Sequence, residues 1–179
     1  MNAAWHTRNP MPKNASIAQR VKWHTAHAKA CACRPIPASL SAHMKRSGYS
    51  GTPLAAKLGF KAGQTALILG EPVNYASLVG PALRDLKRAK SPGPSVDVVH
   101  IFTAQRSRLA SALLDFRRIL GPAAVIWVSW PKKASGVRTD ITEDTIRDVA
   151  LPIGFVDVKV CAVDDIWSGL KLVLRKELR

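Results

Sequence analysis

The sequence predicts a doubly wound α/β domain whose small, mostly parallel sheet ends in an antiparallel hairpin, and three observations carry that expectation. Short apolar runs alternate with helix-forming stretches from Thr65 onward, the pattern of strand–helix units on a parallel sheet. Two runs, Val96–Phe102 and Ala123–Trp130, are almost continuously apolar, as strands covered on both faces are. The last two, Val156–Val160 and Ser168–Leu174, alternate in polarity across a turn at Asp164-Asp165-Ile166-Trp167, which reads as a hairpin.

Taken in order, the first strand is Thr65-Ala66-Leu67-Ile68-Leu69, entered from Lys61-Ala62-Gly63 and left at Gly70. Tyr75–Lys90 has helical character broken by Gly80-Pro81, so two short helices are expected, followed by a loop at Ser91–Pro94. Leu109, Leu113, Phe116 and Leu120 fall on one helical stripe with arginines beside it. Gly121-Pro122 should end that helix, with glycine supplying a left-handed cap. Asp140 with Glu143 resembles a capping box opening a helix that runs to Ile153 and closes at Gly154.

Composition divides the chain. All 12 acidic residues lie from Glu71 onward, and 19 of the 27 basic ones lie after residue 46, so residues 47–179 carry +7 of the total +15. Residues 1–46 are basic and proline-bearing, and they read as a disordered tail because they hold too little apolar surface to offset ordering entropy. Within them Ser16–Ala30 is at most a weak basic helix, and the absence of acids is also that of an organellar transit peptide. Met44 would serve as an alternative first residue. Residues 47–179 are then the folded domain. Within the tail, His24, His27, Cys31 and Cys33 group soft ligands closely, but the spacing is unlike a zinc finger and no metal is assigned. Three cysteines make no disulfide framework. With no apolar run near the ~20 residues of a membrane span, a cytoplasmic protein with no membrane partner is expected.

The order of elements from Leu58 to Leu174 is similar to the Rossmann-like fold of class I methyltransferases. Leu58-Gly59-Phe60-Lys61-Ala62-Gly63-Gln64 enters the first strand much as those enzymes do, and the terminal hairpin matches. That resemblance implies S-adenosylmethionine at the loop after the first strand, where glycines let the backbone approach. Here the loop is Gly70-Glu71-Pro72-Val73-Asn74-Tyr75, with one glycine and a proline that lacks an N–H. A second strand ending in a ribose-holding acid also has no counterpart in the stretch between Glu71 and Val96. A further resemblance is to a bacterial family of small proteins catalogued as domain of unknown function 3052. It rests on Gly48-Tyr49-Ser50-Gly51-Thr52-Pro53-Leu54, Trp127–Gly136 and Asp164–Lys171, and it implies no activity.

Ligands of open α/β sheets sit beyond the carboxyl ends of the strands. There Lys132, Lys133, Ser135, Gly136 and Arg138, with Gly70 and Asn74, offer cations, hydroxyls and flexible backbone suited to an anion, phosphate especially. Asp164, Asp165 and Trp167 form a second candidate cluster, against the plainer reading of a turn that favours Asp. His100, inside a buried run, reads as a hydrogen-bonded core histidine. No P-loop, full dinucleotide fingerprint or nucleophile elbow occurs. The expectation is therefore a non-catalytic Rossmann-like module binding an anionic small molecule or a protein partner, with no cofactor and no catalytic residue assigned. One alternative is a reduced S-adenosylmethionine-dependent methyltransferase-like enzyme. Another is nucleic-acid binding through the tail and the basic loop.

Overall fold

The computed structural model describes residues 2–31, 33–40 and 52–179; Met44 and residues 48–51 of the family resemblance lie outside them. The chain divides into two compact units, residues 1–51 and 52–179.

In the second unit six strands form one sheet in the order β2-β1-β3-β4-β6-β5. They are β1 (Thr65–Leu69), β2 (Lys87–Ala89), β3 (Val98–Phe102), β4 (Val125–Pro131), β5 (Phe155–Ala162) and β6 (Trp167–Leu174). The first four run parallel, with Leu67 opposite Val99 and His100 opposite Trp127. β6 runs antiparallel to both β4 and β5, with a register shift between Asp157 and Lys159. The expected mostly parallel sheet with an antiparallel end is thus the observed one.

Burial on both faces explains why β3 is apolar apart from His100. Val99 and Ile101 join a cluster with Leu109, Leu113 and Phe116 of a helix spanning Arg106–Ile119 and Ile146 and Ala150 of one spanning Glu143–Ala150. Val98 and Phe102 face the other way, toward Leu54 and Leu58 of Leu54–Leu58 and Tyr75 and Val79 of Tyr75–Val79. Alternate strand residues point to opposite faces, so Trp127 enters the second cluster and Trp130 the first. In chain order these helices are α3 (Leu54–Leu58), α4 (Tyr75–Val79), α5 (Arg106–Ile119) and α6 (Glu143–Ala150).

Several sequence expectations change. The second half of Tyr75–Lys90 is a 3-10 turn over Gly80–Asp85 and then β2, parallel to β1. A second strand does fit before Val96, because one short helix and a tight turn make the crossover and an edge strand of three residues suffices. Lys87 and Arg88 are exposed there, so no apolar pattern announced it. α5 ends through Leu120 in an extended conformation, not through a left-handed Gly121. Finally, Thr142 caps α6, accepting the Thr145 N–H at 3.1 Å, while Asp140 accepts the Arg106 N–H at the start of α5, at 2.6 Å. α6 stops at Ala150, and a 3-10 turn, Leu151–Ile153, leads to Gly154.

The first unit contains α1 (Ala3–Arg8), capped by Asn2, and α2 (Ile17–Ala30). Ser16 and Gln19 form a reciprocal capping box at the start of α2. The segment whose composition reads as unstructured therefore carries helices among its described residues, and one of them, Ile17–Ala30, is the stretch with weak helical pattern. No helix among the described residues is long and apolar enough to cross a membrane.

Candidate functional site

From β1 the chain passes to β2 on one side, and from β3 to β4 on the other. The direction of winding switches between β1 and β3, where open α/β sheets leave a crevice beyond the strand ends. Gly70 leaves β1 at this point with φ +64°, and a Cβ there would stand 2.5 Å from the Phe102 carbonyl oxygen at the end of β3. Only glycine accommodates both the left-handed turn and the close backbone approach. Beyond it Glu71 takes a two-pronged contact from Arg88 of β2, at 2.9 and 3.3 Å. Asn74 stands at the head of α4 with no side-chain bond to that helix, and Val73 is fully exposed.

The loop after β3 is braced from a distant part of the chain. Thr139 Oγ1 donates to the Ala104 carbonyl at 2.9 Å and the Asp140 N–H donates to the same oxygen at 3.2 Å. With the Asp140 carboxylate on the Arg106 N–H, the loops after β3 and before α6 are tied together. Thr103 Oγ1 accepts the Gln105 N–H at 3.2 Å, which fixes the first bend.

Within the sheet lies a buried polar chain. Tyr75 Oη meets His100 Nδ1 at 2.9 Å, and His100 Nε2 meets Ser129 Oγ at 2.8 Å. Burial pushes the His100 pKa down to about 3 and the Tyr75 phenol up. A neutral imidazole with both nitrogens engaged is a core histidine, as expected, and it joins α4, β3 and β4 in one network. Tyr75 and Ser129 had no signal in the sequence. Each occupies a position that helical or strand periodicity assigns to packing.

The anion loop expected from sequence is not gathered into one site. Lys132 Nζ donates to the Asp164 carbonyl at 2.6 Å, and desolvation lowers its pKa against the opposing pull of Asp164. Lys133–Ser135 form a 3-10 turn closed by Gly136 at φ +73°. Ser135 Oγ donates to the Lys132 carbonyl at 2.7 Å and accepts the Val137 N–H. Lys133 and Arg138 are exposed, whereas Gly70 and Asn74 belong to the β1 loop. In the second cluster Asp164 Oδ1 accepts the Ile166 and Trp167 N–H groups at 2.8 and 2.7 Å, so this carboxylate closes the hairpin turn. Trp167 packs edge-on against Phe102, 5.1 Å between ring centres, and Asp165 is exposed.

Two hollows lie at the opposite end of the sheet. One, of about 620 Å³ and wide open, is bordered by Leu114, Arg117, Arg118 and Ile153; a smaller one of about 170 Å³ lies by Gly121, Ala124 and Phe155. They adjoin the amino ends of β4 and β5, away from the braced loops. The topology and Gly70 favour the carboxyl end over the larger volume.

No family model matches the chain, and no curated protein does. Among solved structures, a SAM-dependent methyltransferase from Aquifex aeolicus is 14% identical, with TM-score 0.51, over 75% of this chain and 98% of that one. Aeropyrum pernix fibrillarin, solved with natively bound S-adenosyl-L-methionine, is 15% identical over 74% of each chain, with TM-score 0.46. The fold is a Rossmann-like one, similar to that of the Aquifex methyltransferase. This corrects the expectation of a non-catalytic module and the leaning against an enzyme. Both rested on a missing second strand and a poor glycine loop, yet β2 is present and Gly70 makes the close turn.

Proposed function

We propose that residues 52–179 form an S-adenosylmethionine-dependent methyltransferase-like enzyme domain that takes its ligand across the carboxyl ends of β1 and β3. The observation that carries this reading is Gly70, whose missing Cβ leaves the backbone bare at the switch point of the sheet. The likeness in fold to the Aquifex enzyme, which spans nearly all of that chain, supports it. When bound, S-adenosylmethionine supplies an activated methyl group. Gly70 would admit its approach, and Asn74 offers an amide not engaged by its own helix.

Two departures shape the site. Pro72 removes one N–H donor from the loop, and β2 is followed by Lys90 and Ser91 instead of an acid. A carboxylate for ribose hydroxyls would then come from Glu71, oriented by Arg88 at 2.9 Å.

Calorimetric titration of the full chain with S-adenosylmethionine and S-adenosylhomocysteine tests the reading. One saturable site with Kd at or below about 0.1 mM is expected, weakened severalfold by Asn74→Ala. No binding at a ligand concentration of about 1 mM would overturn it.

A further inference from the structure

Among the described residues, four donor groups of the first unit come close together. His6 comes from α1, His27 from the last turn of α2, Cys31 from the C-terminal cap of α2 and Cys33 from just beyond it. One ligand atom from each lies within 4.8 Å of all the others. His27 Nε2 is 3.2 Å from Cys33 Sγ, and His6 Nε2 is 3.6 Å from the same sulfur. Metal–sulfur bonds near 2.3 Å and metal–nitrogen bonds near 2.0–2.1 Å at tetrahedral angles imply donor separations of about 3.3–3.8 Å. The observed sulfur–nitrogen spacings fall close to that range.

We propose that His6, His27, Cys31 and Cys33 form a tetrahedral zinc(II) site that holds the N-terminal unit together. Two thiolates and two imidazoles are the donor set that selects zinc among common divalent ions. Four protein ligands leave no open position, so the ion is structural. The charges balance as well: two thiolates neutralise the dication in a segment that has eight Lys and Arg and no acid before Glu71.

The surroundings are those of a built site. The Asn2 N–H donates to Cys31 Sγ at 3.0 Å, a bond of the kind that orients a metal-bound thiolate. Asn2 also caps α1 through its side chain, so one residue ties the helix carrying His6 to the sulfur from α2. His27 is buried and stacked on Trp23, ring centres 4.9 Å apart and planes 14° from parallel. Trp5 and His6 approach His27 at 5.5 and 4.9 Å. Trp23 Nε1 in turn donates to the Asn9 carbonyl at 2.7 Å. The rings thus hold both imidazoles in place on two helices that have little else to keep them: α1 has six residues, well below the ~12–15 at which an isolated helix becomes even marginally stable.

His24, the histidine that sequence proximity would enlist, is not among the four; its Nδ1 is buried without a hydrogen-bond partner. That difference supplies the test. Untagged full-length protein, purified without chelator, should carry about one zinc per chain by mass spectrometric metal analysis. Replacement by cobalt(II) should give the intense visible bands of a tetrahedral ion with a near-ultraviolet thiolate charge-transfer band. His6→Ala and Cys33→Ser should each lower zinc affinity at least about tenfold, while His24→Ala and Cys161→Ser keep it. The proposal is overturned if the wild-type chain binds no zinc at equimolar metal, or if cobalt gives the weak spectrum of an octahedral ion. It is equally overturned if His24→Ala loses the metal and His6→Ala retains it.

Discussion

The two units are ordered by different forces. In residues 52–179 the sheet buries one apolar cluster on each face, and the side chains of both clusters come from Leu54 to Leu174. Among the described residues of 2–40 the side chains found buried are His27 and Leu40, and α1 and α2 meet through rings, thiols, Asn2 and the Asn9 carbonyl. An apolar core announces itself through periodicity, because every contributor must recur on one face of its own element. A donor cluster does not, because each element contributes one atom and the partners are chosen by the fold. The first unit is therefore hard to read from sequence for the same reason that it can be small.

The contrast can be pressed hardest at Trp127, which is fully buried and donates its Nε1–H to the Leu58 carbonyl at 2.9 Å. Trp127→Ala should cost about 3–5 kcal/mol in urea unfolding of the domain and leave zinc content unchanged. Loss of metal in that variant would mean the two units do not stand on separate supports.

Acid acts next. His100 titrates near 6.5 when unfolded but at about 3 when folded, so the unfolded chain binds the extra proton between those values. Its contribution to stability is complete above pH 6.5 and falls by up to about 1.4 kcal/mol per unit as pH drops toward 3. Urea midpoints measured across that range should show the slope, and His100→Gln should flatten it. An unchanged slope in the variant would place the titrating group elsewhere.

Gly70→Ala should cost about 1–3 kcal/mol, since it forces a side chain into a left-handed turn and against Phe102, and it should weaken S-adenosylmethionine binding. A variant as stable as wild type would remove the close approach on which the functional reading rests. Smallest of all, Lys133→Ala should shift stability by less than about 0.5 kcal/mol, as an exposed cation should. A larger loss would mean that this loop is held by its charge.

Much of the domain was legible in the residues. β1 lies where Thr65–Leu69 placed it, the Leu109, Leu113, Phe116 stripe packs as its spacing implies, and the terminal hairpin is present. β2 was not legible, because an edge strand reading Lys-Arg-Ala has no apolar face to declare. Asp140 was misassigned for a related reason. Its side chain satisfies a helix more than 30 residues earlier, at Arg106, and local spacing sees only the helix that follows. At the candidate site the position of Gly70 was visible but its contact with Phe102 was not. In the first unit, proximity in sequence named His27, Cys31 and Cys33 but chose His24 where the fold supplies His6.

Hydrogen exchange on the full chain, before and after removal of metal by a chelator, tests the contrast most directly. Amides of α2, residues 17–30, are expected to lose their protection on chelation, while those of β1, β3 and β4 keep it. Protection of α2 that survives in the metal-free chain, or strands that open together with it, would contradict the account.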